Sequence, residues 1–519
     1  MSSSHTAGGS QITKTGQWMA LAAALLGWMF DGFEMGLFSM VGRSAIQDLM
    51  GYGTKPTPEQ NVLIGFYFGV VIAVFLVGAA AGGVLFGWLG DRIGRVRAMS
   101  LSVATYAIFT GLCGVVETPL QIAGVRFIAS LGMGGEWALG VALVMEVWPN
   151  RSRALMAGLI GAAANVGYLL VGVIGIGLAA ILGNMKGWLI GVGLSEATAT
   201  MLVAFNGWRL MMLLGATPAL LTFFFRLFVP ESHKWEEERA RGTTSQWAAR
   251  DLFGVLIGAS GPALIIYVWA NDMSLAARLA GSLVGLVVAT VGYVFPVMQY
   301  LKRSFASSGA EGDAWKPTLK RMLLGACLSG VALLGTWGST QWAPTWAAKL
   351  TEGTEIKNAK EYTQICLAIG AIIGTIGAAL IGDWLGRRIT YCLMCATSLV
   401  TVLLFFQGNT EYGSFFLVTC FLAGTCTASF YGWLPLYLPE LFATKVRATG
   451  QGFSFNFGRI LAAVGALQTG NLFAKEIHLF GQSFQGGHAF ACSAMSFVYV
   501  IGLGLIWLAP ETKGRALPE

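Results

Sequence analysis

Long apolar runs recur along the whole chain, and short polar segments separate them. Each run has about 20 or more residues, which at 1.5 Å per helical residue is enough to cross a hydrocarbon core about 30 Å thick. The pattern predicts two sets of six membrane-spanning helices. The first set covers residues 17–41, 61–87, 98–116, 119–148, 153–183 and 207–229, and the second covers residues 320–347, 362–382, 390–407, 413–438, 448–470 and 488–509.

Two further apolar runs, residues 252–270 and 277–300, lie between the two sets. Arg250 precedes this pair, and Lys302 and Arg303 follow it. Because basic residues favour the cytoplasmic side of a membrane, the pair is predicted to cross the membrane out and back. The total is then about 14 spans, whereas a pair of helices lying in the interface would leave 12.

These runs predict an all-α polytopic membrane protein of two six-helix bundles with an inserted two-helix hairpin. The moderately apolar stretch 184–206 is expected to be an external loop and not a span. The predicted parts are a cytoplasmic tail (1–16), an N-terminal six-helix bundle (17–232), a central linker with two extra transmembrane helices (233–319), a C-terminal six-helix bundle (320–512) and a second cytoplasmic tail (513–519).

Basic residues fall in alternate loops between the predicted spans. The positive-inside rule places such loops in the cytoplasm, so both termini are expected there too. The basic residues concerned are Arg92, Arg95, Arg97, Arg151, Arg153, Arg387, Arg388, Lys445 and Arg447.

Composition excludes a soluble protein, because 55% of the residues are apolar and only 11% are charged, against about 25% charged in soluble domains. The net charge of +7 comes from basic residues in short loops, so it does not indicate nucleic-acid binding. The sequence carries no metal-ligand set, nucleophile triad or phosphate-binding loop. We therefore expect no enzymatic activity, no metal and no cofactor.

An internal repeat relates the two halves. Residues 87–97 read GWLGDRIGRVR and residues 379–388 read ALIGDWLGRR; EVWPNRSR at 146–153 likewise matches ELFATKVR at 440–447. Duplicated halves are typical of membrane transporters. The repeat yields a set of candidate gating residues: Gly87, Asp91, Arg92, Gly94, Arg95, Glu146, Arg153, Asp383, Gly386, Arg387, Glu440 and Arg447.

The loop GWLGDRIGRVR closely resembles the cytoplasmic signature of the major facilitator superfamily, and GDWLGRR is similar to its degenerate copy. The resemblance implies a transporter that works by alternating access. At a helix junction, Asp91 and Arg95 could form charge-assisted bonds to neighbouring spans and hold one face shut. Alternatively, the loop only anchors the chain through its positive charge.

Further stretches resemble particular branches of that superfamily. DGFE at 31–34, RFIASLGMGGEWALGVALVMEVWP at 126–149 and VPESHKWEEE at 229–238 are similar to bacterial sialic acid:proton symporters. PELFATKVRATGQGFSFNFGR at 439–459 looks like metabolite:proton symporters and organic ion transporters. These resemblances imply a monomeric, multi-pass protein of the bacterial inner membrane that takes up an organic anion such as sialate, an aromatic acid or a small carboxylate, together with a proton.

Four ionisable residues inside predicted spans are candidates for proton coupling: Asp31, Glu34, Arg126 and Glu136. Placing a charged side chain near the bilayer centre costs about 2.5 to 3.5 kcal/mol on insertion scales. Such a residue is therefore expected to have a charged partner, contact with water or a function in transport. The four histidines fall in predicted tails or loops, which leaves carboxylates to carry the proton. Alternatively, these carboxylates only bond to backbone or to Arg126.

Arg459 is the leading candidate for binding an anion. It stands 12 residues after Arg447, about 18 Å into its span, and its repeat mate is the neutral Asn165. The duplicated scaffold therefore does not require a cation there, although an internal salt bridge is the alternative. The candidate substrate-binding residues are Arg459, Asn165, Trp337, Gln341, Tyr431 and Asn456.

Three other functions remain open. The chain could be an uncoupled facilitator or exchanger of the same fold, or an exporter. A nutrient sensor that binds without transporting is a further alternative.

Overall fold

Helices account for nearly all of the described residues. The structure is a computed structural model, and it describes residues 14–148, 152–217, 249–271, 273–306, 313–472, 477–479, 482–484 and 487–518. The predicted boundary at 232/233 and the end of the predicted span 207–229 lie outside these ranges.

Six helices form the first half of the chain. Two of them, α2 and α4, begin with a threonine capping box followed by proline, at Thr57 and at Thr118. This arrangement satisfies backbone N–H groups that the first turn leaves free. The helices are α1 (Lys14–Leu49), α2 (Pro58–Ile93), α3 (Arg95–Leu112), α4 (Pro119–Val147), α5 (Arg153–Gly191) and α6 (Glu196–Leu214).

A helical hairpin follows, formed by α7 (Ala249–Ala270) and α8 (Leu275–Ala306). Glycines line the contact between its two helices: Gly258 and Gly292 face each other, as do Gly261 and Gly285. Small residues of this kind let two helix backbones approach closely in lipid. The hairpin packs mainly beside α2.

The second half repeats the first with more interruptions. Three of its predicted spans are broken into two helices each, after Trp337, Ala428 and Ser496. The helices are α9 (Lys316–Trp337), α10 (Ala343–Leu350), α11 (Ala359–Leu385), α12 (Arg387–Gly408), α13 (Ser414–Ala428), α14 (Phe430–Tyr437), α15 (Thr444–Leu472), α16 (His488–Ser496) and α17 (Val498–Leu505).

The same pairs of helices pack in the two halves, α1 with α5 and α2 with α4 in the first, and α9 with α15 and α11 with α13 in the second. Glycines again permit the close approach. A Cβ atom at Gly32 would collide with the backbone of Ala164, and one at Gly374 would collide with the backbone of Thr425.

Helix α5 also packs against the second half of the chain. A Cβ atom on Gly158 would lie 2.9 Å from the Cα atom of Ile376 in α11, and one on Gly161 would lie 2.5 Å from the carbonyl oxygen of Tyr431 in α14. The seam between the halves is therefore a backbone contact at these two positions.

Where the structure describes them, the predicted spans coincide with helices, and 11 of the described helical segments are long and apolar enough to cross a membrane. Helices α4 and α15, which carry Glu136 and Arg459, are not among the 11. Most observed helices are longer than predicted. With 36 residues, α1 is about 54 Å long, so it extends beyond a hydrocarbon core of about 30 Å.

The external loop expected at 184–206 is instead mostly helical. Helix α5 continues to Gly191, and α6 begins at Glu196 after Ser195, whose side chain accepts a hydrogen bond from the backbone of Thr198. Residues 204–207 then leave the helical conformation, and Phe205 and Asn206 have positive φ angles of 47° and 63°. This break separates the projecting part of α6 from the part that starts the predicted sixth span.

A two-stranded antiparallel sheet is a small exception to the predicted all-α architecture. Its strands are β1 (Ile477–Leu479) and β2 (Gln482–Phe484). They lie between α15 and α16, in a connection that the apolar pattern left without secondary structure.

Candidate substrate site

A cavity lies at the middle of the bundle, between α1 and α5 of the first half and α9, α11 and α13–α15 of the second. It offers about 90 Å³ of space that water could occupy, which is less than the roughly 300 to 1,000 Å³ of ordinary ligand clefts. The cavity is therefore contracted in this structure. Its wall includes Asp31, Asn165, Trp337, Gln341, Tyr431 and Arg459.

The Arg459 side chain is buried in the wall of this cavity. Its Nη1 atom has no hydrogen-bond partner, and no carboxylate oxygen lies within 4.0 Å of it, among the residues that the structure describes. Its guanidinium group lies over the ring of Phe455, 5.1 Å from the centroid. A buried guanidinium without a carboxylate partner retains its capacity to bind an anion. The internal salt bridge that was the alternative for Arg459 is absent from the described contacts.

Phe455 fixes the position of this arginine from one side. It lies one helical turn before Arg459 on α15 and stacks on Trp137 of α4, with ring centroids 4.0 Å apart and planes 10° apart. The arginine thus rests on an aromatic pair that joins the two halves.

Two carboxyl groups lie close together next to the cavity. Asp31 and Glu136 are within hydrogen-bonding reach of each other, and both are buried. No N–H or O–H group of the described residues donates to Asp31 Oδ1 or to either carboxyl oxygen of Glu136. A hydrogen bond between two carboxyl groups requires a proton on one of them, so this pair is suited to holding a proton.

Glu34 and Arg126 form a separate, buried ion pair. Arg126 Nη1 lies 3.1 Å from Glu34 Oε1, and the hydroxyl of Thr110 donates to the same oxygen at 3.0 Å. The guanidinium carbon of Arg126 lies 4.5 Å from the ring centroid of Phe38 and 4.6 Å from that of Phe75. This geometry agrees with the structural alternative for Glu34 and separates it from Asp31.

Five of the six predicted substrate-binding residues line the cavity, and Asn456 does not. Asn456 donates hydrogen bonds to the carbonyl oxygens of Gly134 at 3.1 Å and of Gly452 at 2.9 Å, so it joins α15 to α4. The amide of Asn165 bonds back to Gly161 at 2.9 Å. In this structure the Asn456 side chain therefore serves a contact between helices and lies outside the cavity wall.

Polar contacts between the halves close the cavity on the side away from the α2–α3 loop. Gln341 donates to the hydroxyl of Ser39, and Gln364 donates to the carbonyl oxygen of Tyr168 at 3.0 Å. The rings of Phe68 and Trp342 meet edge to face 4.9 Å apart just beyond. Asn456 and the Trp137–Phe455 stack close the opposite side.

A charge network lies at the α2–α3 loop side of the second half. Arg387 donates to both oxygens of Glu440, at 2.9 and 2.7 Å, and the hydroxyl of Thr512 donates to Glu440 at 2.6 Å. Asp383 is 3.6 Å from Arg387 but 61% exposed, so it contributes little. Arg153 of the first half interacts electrostatically with Glu440.

Glu511 completes this network from the segment after α17. Its carboxylate accepts the backbone N–H groups of Arg387, Arg388, Thr512 and Lys513 at 2.9 to 3.1 Å. Partial burial raises the pKa of Glu511, but these four donors lower it by more, so the net pKa lies below the ordinary value. Glu511 thereby caps the beginning of α12, where an anion is favoured.

Several candidate gating residues fall outside the described side chains: Asp91, Arg92, Arg95 and Glu146. Of the others, Gly94 and Gly386 both have positive φ angles, 108° and 100°, at the equivalent helix junctions, where glycine is favoured. Arg447 donates to the carbonyl oxygen of Pro439 at 3.3 Å. Nothing within 4 Å opposes a Cβ atom at Gly87.

One histidine departs from its expected place. His488 is the first residue of α16 and is buried, and its Nε2 atom lies 3.3 Å from the hydroxyl of Thr345. It lies outside the wall of the central cavity.

Three aromatic residues of the cavity wall, Trp28, Tyr168 and Phe455, were not among the predicted site residues. Each lies three or four residues from a predicted site residue, Asp31, Asn165 or Arg459, and therefore on the same helix face. Applying this spacing to each candidate would have found them.

The chain belongs to the Major Facilitator Superfamily, because the sequence model of that family matches residues 25–466. It is a transporter and not an enzyme. A protein of Haemophilus influenzae that is named as a metabolite transport protein is 25% identical to this chain. The match covers 96% of this chain and 98% of the relative. The cis,cis-muconate transport protein of Acinetobacter baylyi is 24% identical, with 93% and 94% covered, and the niacin transporter of the same species is 22% identical, with 95% and 93% covered.

Solved structures of the same fold agree with this assignment. The proton:xylose symporter XylE of E. coli superposes with a TM-score of 0.64 at 16% identity, over 97% of this chain and 98% of that one. At this identity the likeness concerns the fold alone. The chain is thus a multi-pass membrane protein with the architecture of this superfamily.

Proposed function

We propose that this protein takes up a small organic carboxylate together with a proton, by alternating access across the bacterial inner membrane. The observation that carries the proposal is the buried guanidinium of Arg459, which faces the cavity between the halves and has no carboxylate partner among the described residues. A buried cation without an ion-pair partner is costly, and a substrate carboxylate would supply that partner.

The named relatives support a carboxylate substrate. Muconate and niacin, which appear in the names of two relatives, are both carboxylic acids. The wall of the cavity combines the cation of Arg459 with the aromatic side chains of Trp28, Trp337 and Tyr431. A planar unsaturated acid could place its carboxylate on the arginine and its apolar part between the rings.

Asp31 is the group that we propose couples the proton to the anion. Asp31 and Arg459 line the same cavity and attract each other electrostatically. An ionised Asp31 therefore competes with the substrate for Arg459, and a protonated Asp31 does not. By linkage, each of the two ligands then favours binding of the other.

Glu136 would share this proton, because it is the carboxyl neighbour of Asp31. We assign Glu34 and Arg126 a structural role, since they neutralise each other. Cotransport of one proton with a monovalent anion moves no net charge, so uptake should respond to a pH gradient and not to membrane potential.

We also propose that α7 and α8 cross the membrane and bring the number of spans to 14. Many apolar side chains of the hairpin are exposed, among them Phe253, Leu256, Leu283 and Phe295, as expected for residues that face lipid. The hairpin would separate the bundles 17–232 and 320–512, both termini would be cytoplasmic, and the protein would act as a monomer.

A binding experiment with a matched acid and amide tests the proposed function. The purified protein and an Arg459→Asn variant are titrated with nicotinate, nicotinamide and cis,cis-muconate, and Arg515→Asn serves as the control because Arg515 is exposed. Each charge-assisted bond contributes about 1.5 to 3 kcal/mol, so Arg459→Asn should weaken binding of an acid at least about tenfold and leave any binding of the amide unchanged.

Equal weakening of acid and amide would assign Arg459 to the architecture. Failure of both acids to bind the parent protein would reject this substrate class. Accumulation of the acid in everted vesicles would favour an exporter, and uptake that ignores external acidification would favour an uncoupled facilitator.

A further inference from the structure

A second cavity lies on the side of the protein away from the α2–α3 loop. It has a volume of about 620 Å³ and is lined by the ends of α1, α5 and α6 and by the segment from α10 to the start of α11. We call this cavity the vestibule. It is much larger than the central cavity and could hold an organic anion of the proposed substrate class.

Two cations lie in or next to the wall of the vestibule, and neither has a carboxylate within ion-pair distance in the described part of the chain. Lys360 is half-buried and lines the vestibule, and no carboxylate oxygen lies within 4.0 Å of Lys360 Nζ in the described part of the chain. Arg43 is close enough to interact electrostatically with Lys360, and its guanidinium donates to the neutral Asn61. Two like charges held together favour an anion between them.

Two carboxylates lie near these cations, and Glu361 also lines the vestibule and attracts Lys360 electrostatically, although it lies beyond ion-pair distance. Glu361 packs against Gly175 of α5, so that its Cγ atom would lie 3.2 Å from a Cβ atom placed there. Glu352 is exposed and interacts with Arg43 only beyond ion-pair distance. Lys357 is a second lysine in the wall, so two cations and one carboxylate line the vestibule.

The vestibule and the central cavity lie on one route along the same helices. On α5, Tyr168 lines the central cavity and Gly175 lines the vestibule; on α11, Leu367 lines the central cavity and Lys360 lines the vestibule. On each helix the two residues are seven positions apart, which is about 10 Å along the helix axis. The Gln341–Ser39 and Gln364–Tyr168 hydrogen bonds lie between the two cavities.

We propose that the vestibule is a second binding site for organic anions, in which Lys360 and Arg43 hold the anion before the two hydrogen bonds open and admit it to Arg459. The site rests on the proposed function for its role in transport. Its capacity to bind an anion stands on the geometry of the vestibule alone.

The test uses an anionic reagent as the probe. Ser44 lines the vestibule next to Arg43, and Ser44→Cys is nearly isosteric. The purified variant reacts with 2-sulfonatoethyl methanethiosulfonate, an organic sulfonate, and separately with the cationic 2-trimethylammonioethyl reagent. In each reaction the thiolate forms a disulfide and methanesulfinate leaves. The parent chain without the added cysteine gives the background of the native cysteines.

We expect the rate with the sulfonate to saturate as its concentration rises, because the anion binds before it reacts. Lys360→Gln or Arg43→Gln in the same background should lower the rate at low concentration about fivefold and remove the saturation, without slowing the cationic reagent. Lys186→Gln is the matched control, since it removes an exposed lysine at the same end of the protein.

A strictly linear concentration dependence in the Ser44→Cys protein would overturn the proposal. So would equal slowing by Lys360→Gln and Lys186→Gln, which would mean that only the overall charge matters. An Arg459→Asn variant that no longer binds nicotinate should still show saturation at residue 44, so the two proposals can fail separately.

Discussion

The carboxyl group of Glu136 lies directly against the backbone of Gly27, one helical turn before Asp31 on the same face of α1. A Cβ atom at residue 27 would collide with Glu136 Oε1. The absence of a side chain at this position is therefore what allows Glu136 to reach Asp31.

Gly27→Ala should consequently separate the two carboxyl groups and reduce proton-driven uptake at least about tenfold. This factor corresponds to a loss of roughly 1.4 kcal/mol in the free energy with which the pair holds its proton. Uptake into proteoliposomes under a pH gradient measures the change. Gly124→Ala is the control, because nothing within 4 Å opposes a Cβ atom at Gly124 on the same helix as Glu136. The shorter acid of a Gly27→Ala/Glu136→Asp double variant should restore part of the activity, and no recovery would count against a steric cause.

Asp31→Asn should abolish uphill uptake while exchange of labelled for unlabelled substrate continues. Exchange moves no net proton, whereas accumulation requires one. Parallel assays of pH-driven accumulation and of counterflow in proteoliposomes distinguish the two. A variant that still concentrates substrate would transfer the coupling role to Glu136.

Arg126→Met should destabilise the protein by about 3 to 5 kcal/mol, because it leaves the buried carboxylate of Glu34 without its partner. A fall in the thermal midpoint of the purified protein reports the loss. The double variant Arg126→Met/Glu34→Gln should recover much of it, since the uncompensated charge is then gone. A stable single variant that loses only pH-driven uptake would show instead that this pair takes part in coupling.

Glu511→Gln should lower the thermal midpoint at pH 7 but not in strong acid. The pKa of Glu511 is lower in the folded protein than its ordinary value of 4.5, so its ionised form stabilises the fold above that pH. This contribution is lost as the pH falls below 4.5 and through the folded pKa. The difference in midpoint between parent and variant should therefore shrink below about pH 4.5, and a constant difference across the series would contradict the capping role. Glu355→Gln, which alters an exposed carboxylate, should show no such difference.

A protease-cleavable tag inserted at Asn271 should be cut only from outside intact cells. Asn271 is exposed at the turn between α7 and α8, and a hairpin that crosses the membrane places this turn opposite Lys302 and Arg303. Cleavage only in everted vesicles would reject the 14-span topology. A tag after Gly413, in the exposed turn between α12 and α13, gives the reference for an external site.

The number and sequence positions of most helices could be predicted, because the length of each apolar run sets them independently of how the helices pack. The connection 184–206 could not, because its moderate hydropathy resembles both a loop and a helix. A local signal was nevertheless present, since Ser195 followed by Glu196 is a typical helix start. The breaks after Trp337 and Ala428 were not predicted, because both lie inside continuous apolar runs.

The candidate site was predictable where an isolated charge stands in an apolar span, as with Asp31 and Arg459. The role of a side chain was less predictable where it depends on which other helix packs against that side chain. Asn456 lies three residues before Arg459 yet bonds to α4, while Phe455, one residue earlier, lines the cavity. Likewise Glu34 and Asp31 share a face of α1, and only the position of Arg126 separates their environments.

The seam between the halves also limits how this protein can be altered. At Gly158 and Gly161 the backbone of α5 rests mainly on backbone atoms of the second half, a smooth contact over which the halves could roll as they reorient. A single methyl group at either position would act as a wedge under one side of this rolling contact. Such wedges offer a means of trapping the protein in one orientation, because they disfavour the state in which the seam is closed while leaving the charged residues of the cavity unchanged.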